Sequence, residues 1–212
     1  MNIIFDIDDT LIRSGAFDGG CFIAAVRDVH GDVSVRSDWN SYTHVTDQGL
    51  IEQIAIENGL TDARVEDVKA RYVARIDAHL AQVSEDGMAV PGAQAMLQAV
   101  QPAHRVALAT GGWRDVQKIK LAKAGIATDL PMFASDGIAP RAAIMAACHA
   151  AIGDPEMDTL YVGDGEWDMR ACKELEWHFI GIGTRLKGRC ERWIEDFTGS
   201  DFLGHLASID RR

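Results

Sequence analysis

Residues 2–10, NIIFDIDDT, decide the fold of this chain. Residues 2–7 form an apolar, β-branched run too short for a helix, and Asp8, Asp9 and Thr10 behind it suit a turn, so the run reads as a buried strand. Comparable runs recur at 105–109 (RVALA), 159–162 (TLYV) and 179–182 (FIGI), with a weaker one at 132–134. Between them lie helical patterns over 113–124, ended by Gly125, over 141–152, opened by Pro140 and closed by Gly153, and over 167–175. Strands alternating with helices at this rhythm predict an α/β fold: a Rossmann-like three-layer core, with a parallel sheet, right-handed crossovers and helices on both faces.

Residues 14–88 break the rhythm. They carry helix signals only, at Phe22, Ala25, Val26 and Val29, then Leu50, Ile51, Ile54 and Ala55, then Val65, Val68, Tyr72, Ile76 and Leu80. This predicts an inserted α-helical module, with Gly87 and the Val90-Pro91-Gly92 turn marking the return to a core made of 1–13 and 89–212. The tail from Cys190 reads as short helices, with Phe202, Leu203 and Leu206 packing on the sheet. No internal repeat or low-complexity stretch interrupts the chain.

With 212 residues, 47% apolar and 25% charged, the composition is that of a soluble globular protein and excludes a disordered tail or a stapled miniature scaffold. A net charge of -11 argues against nucleic acid and anionic membranes as partners, while a local cation can still admit small phosphate esters. Cys21, Cys148, Cys172 and Cys190 make no CxxC pair and no metal-ligand spacing. No basic segment precedes an apolar stretch at the start, and no uncharged run approaches the ~20 residues of a membrane span, so a cytoplasmic, unanchored protein is expected.

Asp6 and Asp8 stand two apart at the carboxyl end of the first strand, where open parallel sheets expose ligand-binding loops, and they can share a face. Asp164 and Asp168 follow the 159–162 run in GDGEWD, four apart, so that they can flank one loop. Carboxylates ~4 Å apart repel by ~4 kcal/mol at an effective dielectric of about 20, so their convergence at one rim calls for a divalent cation, and an all-oxygen donor set favours Mg²⁺. Asp outnumbers Glu by 22 to 10, which weakens any single Asp motif. Chance yields DxDxT in about one such chain in ten and GDxxxD in about one in five. Both together, each straight after a short apolar strand, fall to the order of 10⁻⁴. Thr110 and Gly111, in LATGG, offer a hydroxyl and an amide turn suited to a phosphoryl group, and Arg141, straight after Pro140, offers a guanidinium for its oxygens.

In the order FDIDDT, helical insertion, LATGG, Arg141, YVGDGEWD, the chain resembles the haloacid dehalogenase superfamily of phosphohydrolases over nearly its whole length, in the branch whose helical cap is inserted after the first strand. The resemblance implies a cap over 14–88 and an Mg²⁺-dependent phosphatase acting on a small phosphorylated metabolite through an aspartyl-phosphate, as a monomer or homodimer. Asp6 would be the nucleophile, Asp8 the general acid/base, Thr110 a phosphoryl ligand, and Asp164 and Asp168 would serve the metal together with Asp6 and the Asp8 main-chain carbonyl. The acid role asks for a protonated Asp8, which neighbouring carboxylates are expected to favour. Where the family carries a Lys this chain has Arg141, favoured here because it starts a helix at the sheet rim; Lys118 and Lys120 are the alternatives. The loop 42–47 (YTHVTD) is similar to the cap segment of the phosphoglycolate phosphatase and phosphomutase branch, which makes His44 and Thr46 substrate-binding candidates, though both read equally well as loop and N-cap residues. Competing readings are a dehalogenase, which has no use for Asp8, a sugar phosphomutase, which must exclude water, and a catalytically silent metal-binding protein.

Overall fold

The computed structural model describes every residue except 127, 128, 153, 155, 200 and 210–212, so the stop expected at Gly153 lies outside the described residues. Among the described residues six strands pair in parallel in the order β3-β2-β1-β4-β5-β6: β1 (Asn2–Phe5), β2 (Arg105–Ala109), β3 (Met132–Phe133), β4 (Thr159–Gly163), β5 (His178–Ile182) and β6 (Trp193–Ile194). Successive side chains along the strands point to opposite faces, and both faces are apolar. Ile3, Phe5, Val106, Leu108, Leu160 and Val162 pack on one side with α4 (Ala93–Val100) and α8 (Asp201–Ile209). Ile4, Ala107, Ala109 and Tyr161 pack on the other with α6 (Arg141–Ile152) and α7 (Glu166–Leu175). The expected α/β, three-layer architecture is what forms.

The tail differs from the sequence reading in two details. The tail contributes an edge strand, β6, before its helix, because Gly181 and Gly183 of the β5 margin donate to Arg192 and Ile194 carbonyls and Ile194 is buried. Leu203 does not pack on the sheet: α8 turns Phe202, Leu206 and Ile209 inward at helical spacing, which leaves Leu203 49% exposed.

The 14–88 segment holds α1 (Asp18–His30), α2 (Asp47–Glu57) and α3 (Val65–Leu80), whose apolar faces close on Phe22, Val26, Ile51, Ile54, Tyr72 and Ile76. That cluster also takes in Trp113 and Val116 from the start of α5 (Arg114–Lys123), a core helix on which α3 packs. Trp113 is fully buried, with Tyr72 6.2 Å and Phe22 6.0 Å away between ring centroids. Helices α1, α2 and α3 therefore share one hydrophobic cluster with the start of α5.

Candidate active site

Because β1, β2 and β4 run side by side in the same direction, the residues that follow them meet at one rim: Asp6 after β1, Thr110 after β2 and Asp164 after β4. Carboxylate oxygens of Asp6, Asp164 and Asp168 lie within 4.8 Å of one another, all buried. Asp168 sits in the first turn of α7, where its Oδ2 accepts from Gly165 N at 3.0 Å and so caps the helix. Its Oδ1 faces the cluster. Arg141 Nη1 approaches that oxygen to 2.9 Å, yet off line, so Asp168 Oδ1 has no hydrogen-bond partner despite being buried.

Arg141 opens α6 and lays its guanidinium between the acids, with Nη1 3.2 Å from Asp6 Oδ1 and 3.4 Å from the Tyr161 hydroxyl. A side chain at position 111 would run into this guanidinium, so Gly111 is what permits the close approach. Lys118 is exposed on α5, away from these acids. Lys120 is fully buried, with Nζ donating to Asp8 Oδ1 and Asp18 Oδ1, each at 2.6 Å. Of the cations weighed from sequence, Arg141 is the one beside Asp6.

Burial, then the Asp168 charge, push Asp6 up to about 8, with Arg141 opposing them. Burial likewise raises Asp168, against the pull of Arg141, and raises Asp164 well above the ordinary carboxylate value, against the pull of Arg185. Asp8 departs from the expectation of a protonated carboxyl. Burial pushes it up, but Lys120, the Ser14 hydroxyl at 2.5 Å and Gln117 Nε2 at 2.6 Å carry it below its ordinary value. The reason is that its near neighbours are donors rather than the other acids.

The rim opens into a cavity of about 160 Å³ lined by Asp6, Asp8, Thr110, Gly111, Arg141 and Asp164 on the core side and by Phe22, Trp39, Thr46, Asp47 and Leu50 on the other. That is well under the roughly 300–1,000 Å³ of sites for drug-sized ligands, and suits a phosphoryl group with a small leaving group. Thr46 lines it, but its hydroxyl is committed, accepting from Gly49 N and donating to the Ala139 carbonyl; His44 is not among the described lining residues. Sequence reasoning missed Asp18, Asp47, Gln117, Tyr161 and Arg185. Arg185, after β5, donates to Asp164 Oδ2 at 2.7 Å and lies over the Trp167 ring at 5.1 Å.

Residues 3–173 match the family described as haloacid dehalogenase-like hydrolase. Among solved structures the chain is similar to a hydrolase from Pseudomonas syringae, at 22% identity, TM-score 0.75 and 98% of both chains. It is also similar to a predicted phosphoglycolate phosphatase from Haemophilus somnus 129pt, at 17% identity, TM-score 0.68 and 96% of both chains. A β-phosphoglucomutase from Clostridium difficile matches at 14% identity and TM-score 0.72, over 100% of this chain and 99% of that one. A comparison with curated protein sequences gives no match.

Proposed function

This chain belongs to the haloacid dehalogenase-like hydrolase family, and on that ground we propose that it is an Mg²⁺-dependent phosphatase of the cytosol that hydrolyses a small phosphate monoester through an aspartyl-phosphate on Asp6. The observation that carries the reading is the meeting of Asp6, Asp164, Asp168 and Arg141 beside the Thr110 turn. Phosphate monoesters are among the slowest esters to hydrolyse unaided, and catalysts accelerate the reaction by up to ~10²¹, so charge neutralisation and alignment carry the work.

A divalent cation fits the donor set. Three buried carboxylates converge within 4.8 Å, burial pushes all three up, and Asp168 Oδ1 accepts no hydrogen bond there, which is a donor set that suits a divalent cation. Asp6, the Asp8 main-chain carbonyl, Asp164 and Asp168 would hold it. When bound, Mg²⁺ supplies countercharge to the phosphoryl oxygens and keeps these carboxylates ionised.

Asp6 attacks phosphorus in line with the leaving oxygen, while Arg141 and the Thr110 hydroxyl hold the equatorial oxygens. Asp8 serves the leaving oxygen and the attacking water. A proton brought by the ester monoanion passes through Asp8 to the leaving oxygen, and Asp8, held below its ordinary value by Lys120, Ser14 and Gln117, then takes one from the water that releases phosphate. The aromatic and apolar wall of Phe22, Trp39 and Leu50 meets the leaving group, so substrate choice rests with the insertion. The net charge of -11 keeps nucleic acid off the list of substrates.

Release of inorganic phosphate from an aryl phosphate, with and without Mg²⁺, tests the reading, followed by a panel of small phosphate esters. Release of halide from a haloacid, without phosphate release from any ester, would sink it. Arg141→Ala is expected to cut turnover by roughly 10²–10³-fold, the scale for removing one donor that stabilises developing charge, whereas Lys118→Ala leaves it unchanged. Equal losses would overturn the role given to Arg141. Calorimetric titration with Mg²⁺ reads a second residue: Arg185→Ala should tighten binding by up to roughly fivefold, because its part-exposed guanidinium competes for Asp164. Weaker binding would show that Arg185 supports the site instead.

A further inference from the structure

Three consecutive residues before and at the start of α2 reach from the insertion to the core. The Val45 carbonyl accepts from Arg141 Nη2 at 3.4 Å, and the Thr46 hydroxyl donates to the Ala139 carbonyl at 2.7 Å, two residues before Arg141. Asp47 holds the turn after β2 at two points. Its N–H donates to the Gly111 carbonyl at 2.8 Å, and its Oδ2 accepts from Trp113 N at 2.8 Å. The Gly111–Gly112 peptide is thereby fixed at both ends, since Gly112 N donates to Thr110 Oγ1 at 3.2 Å. Asp47 is buried and lines the same cavity as Asp6 and Thr110.

We propose that Asp47 is a positioning residue for the phosphoryl group: by clamping the Thr110–Trp113 turn from the 14–88 segment, and so engaging the Trp113 N–H while Gly112 N is held by Thr110 Oγ1, it sets the direction of the Gly111 amide and the Thr110 hydroxyl that receive phosphate. The inference rests on reading this rim as a phosphate site. What the clamp needs from the side chain is an acceptor at carboxyl length for the Trp113 N–H, and no negative charge. A neutral acid or an amide meets that need, and a carboxylate beside a phosphate dianion opposes binding.

The surroundings agree. Facing Asp47 are Asp18 from α1, Tyr72 from α3, Lys120 from α5 and Asp8 from the loop after β1. Burial first, then Asp18, push its carboxyl up to about 8, with Lys120 opposing.

The test is the affinity of the full-length protein for inorganic phosphate with Mg²⁺ present, read by calorimetry, so that no turnover is needed. Asp47→Ala is expected to weaken phosphate binding by roughly 10- to 100-fold, the scale of losing one buried hydrogen bond to an acid while stranding its donor. Asp47→Asn should restore it to within about threefold. Between pH 7 and 9 the wild-type affinity should fall relative to that of Asp47→Asn, as the acid ionises and the amide does not. Phosphate binding by Asp47→Ala equal to wild type overturns the inference, as does an Asn variant as impaired as the Ala variant. If the Ala variant does not fold, Asp47→Ser, whose hydroxyl is too short to reach the Trp113 N–H, decides instead: phosphate binding equal to wild type overturns the proposal. A wild-type protein that binds no phosphate instead overturns the phosphate-site reading on which the inference stands.

Discussion

Asp6→Asn is expected to abolish turnover, by roughly 10⁴-fold or more as for removal of other enzymic nucleophiles, while making the metal-free protein harder to melt. The amide keeps the shape of the side chain but cannot attack phosphorus or carry the phosphoryl group. Its effect on stability runs the other way, because Asp6 shares a buried space with Asp164 and Asp168, with Arg141 paired to both Asp6 and Asp168. In the folded protein Asp6 is pushed up to about 8 from 3.8, so it binds a proton on folding at neutral pH. Stability falls as pH rises from about 4 to 8, the window in which the unfolded chain has lost this proton and the folded one has kept it. Asn removes that penalty. In EDTA the variant should therefore melt several degrees above wild type at pH 7.5 and level with it at pH 4. Added Mg²⁺ should narrow the gap, since it stabilises the wild type more than a variant lacking one ligand. Substantial residual turnover, or a lower melting point in EDTA at pH 7.5, would reject Asp6 as the buried nucleophile.

The parts of this arrangement that were readable in advance share a property: each is local. The strands β1, β2 and β4 are buried on both faces, so each reads as an uninterrupted apolar run, and parallel pairing then carries whatever follows them to a common rim. That is why Asp6, Thr110 and Asp164 could be grouped from spacing alone. Helix α4 (AQAMLQAV) is short and opens on Gly92 without a capping side chain, so the sequence lacks a start signal for it. The downward direction at Asp8 is not legible locally, because its controlling partner, Lys120, stands 112 positions further along, on a helix whose orientation no spacing rule supplies. Arg185 follows a glycine turn after β5 with no pattern around it, and its contact with Asp164 exists only because β4 and β5 are neighbours. Pairings between distant segments are set by tertiary packing, and those pairings tune the charge of every acid at the rim.

Lys120→Met is expected to cost about 3–5 kcal/mol of stability, a fall in melting temperature of roughly 6–20 °C for a chain of this size, with Lys118→Ala unchanged within about 0.5 kcal/mol. Lys120 has no exposed surface, and its ammonium is the shared partner of Asp8 and Asp18, with the Tyr72 hydroxyl also donating to Asp18 at 2.6 Å. A methionine of similar length fills the space but leaves two carboxylates facing one another without a cation, and it is that stranded pair rather than lost packing that destabilises. The double variant Lys120→Met/Asp18→Asn should therefore recover part of the loss, whereas Asp18→Asn alone should be mild, because Lys120 keeps Asp8 and burial already raises the Asp18 carboxyl. Asp18 and Tyr72 belong to α1 and α3 of the insertion, while Asp8 and Lys120 belong to the core, so the same ammonium ties the acid/base residue to the element that covers the cavity. Lys120→Met with an unchanged melting point, or a double variant less stable than the single one, would show that this ammonium does not hold the two parts together.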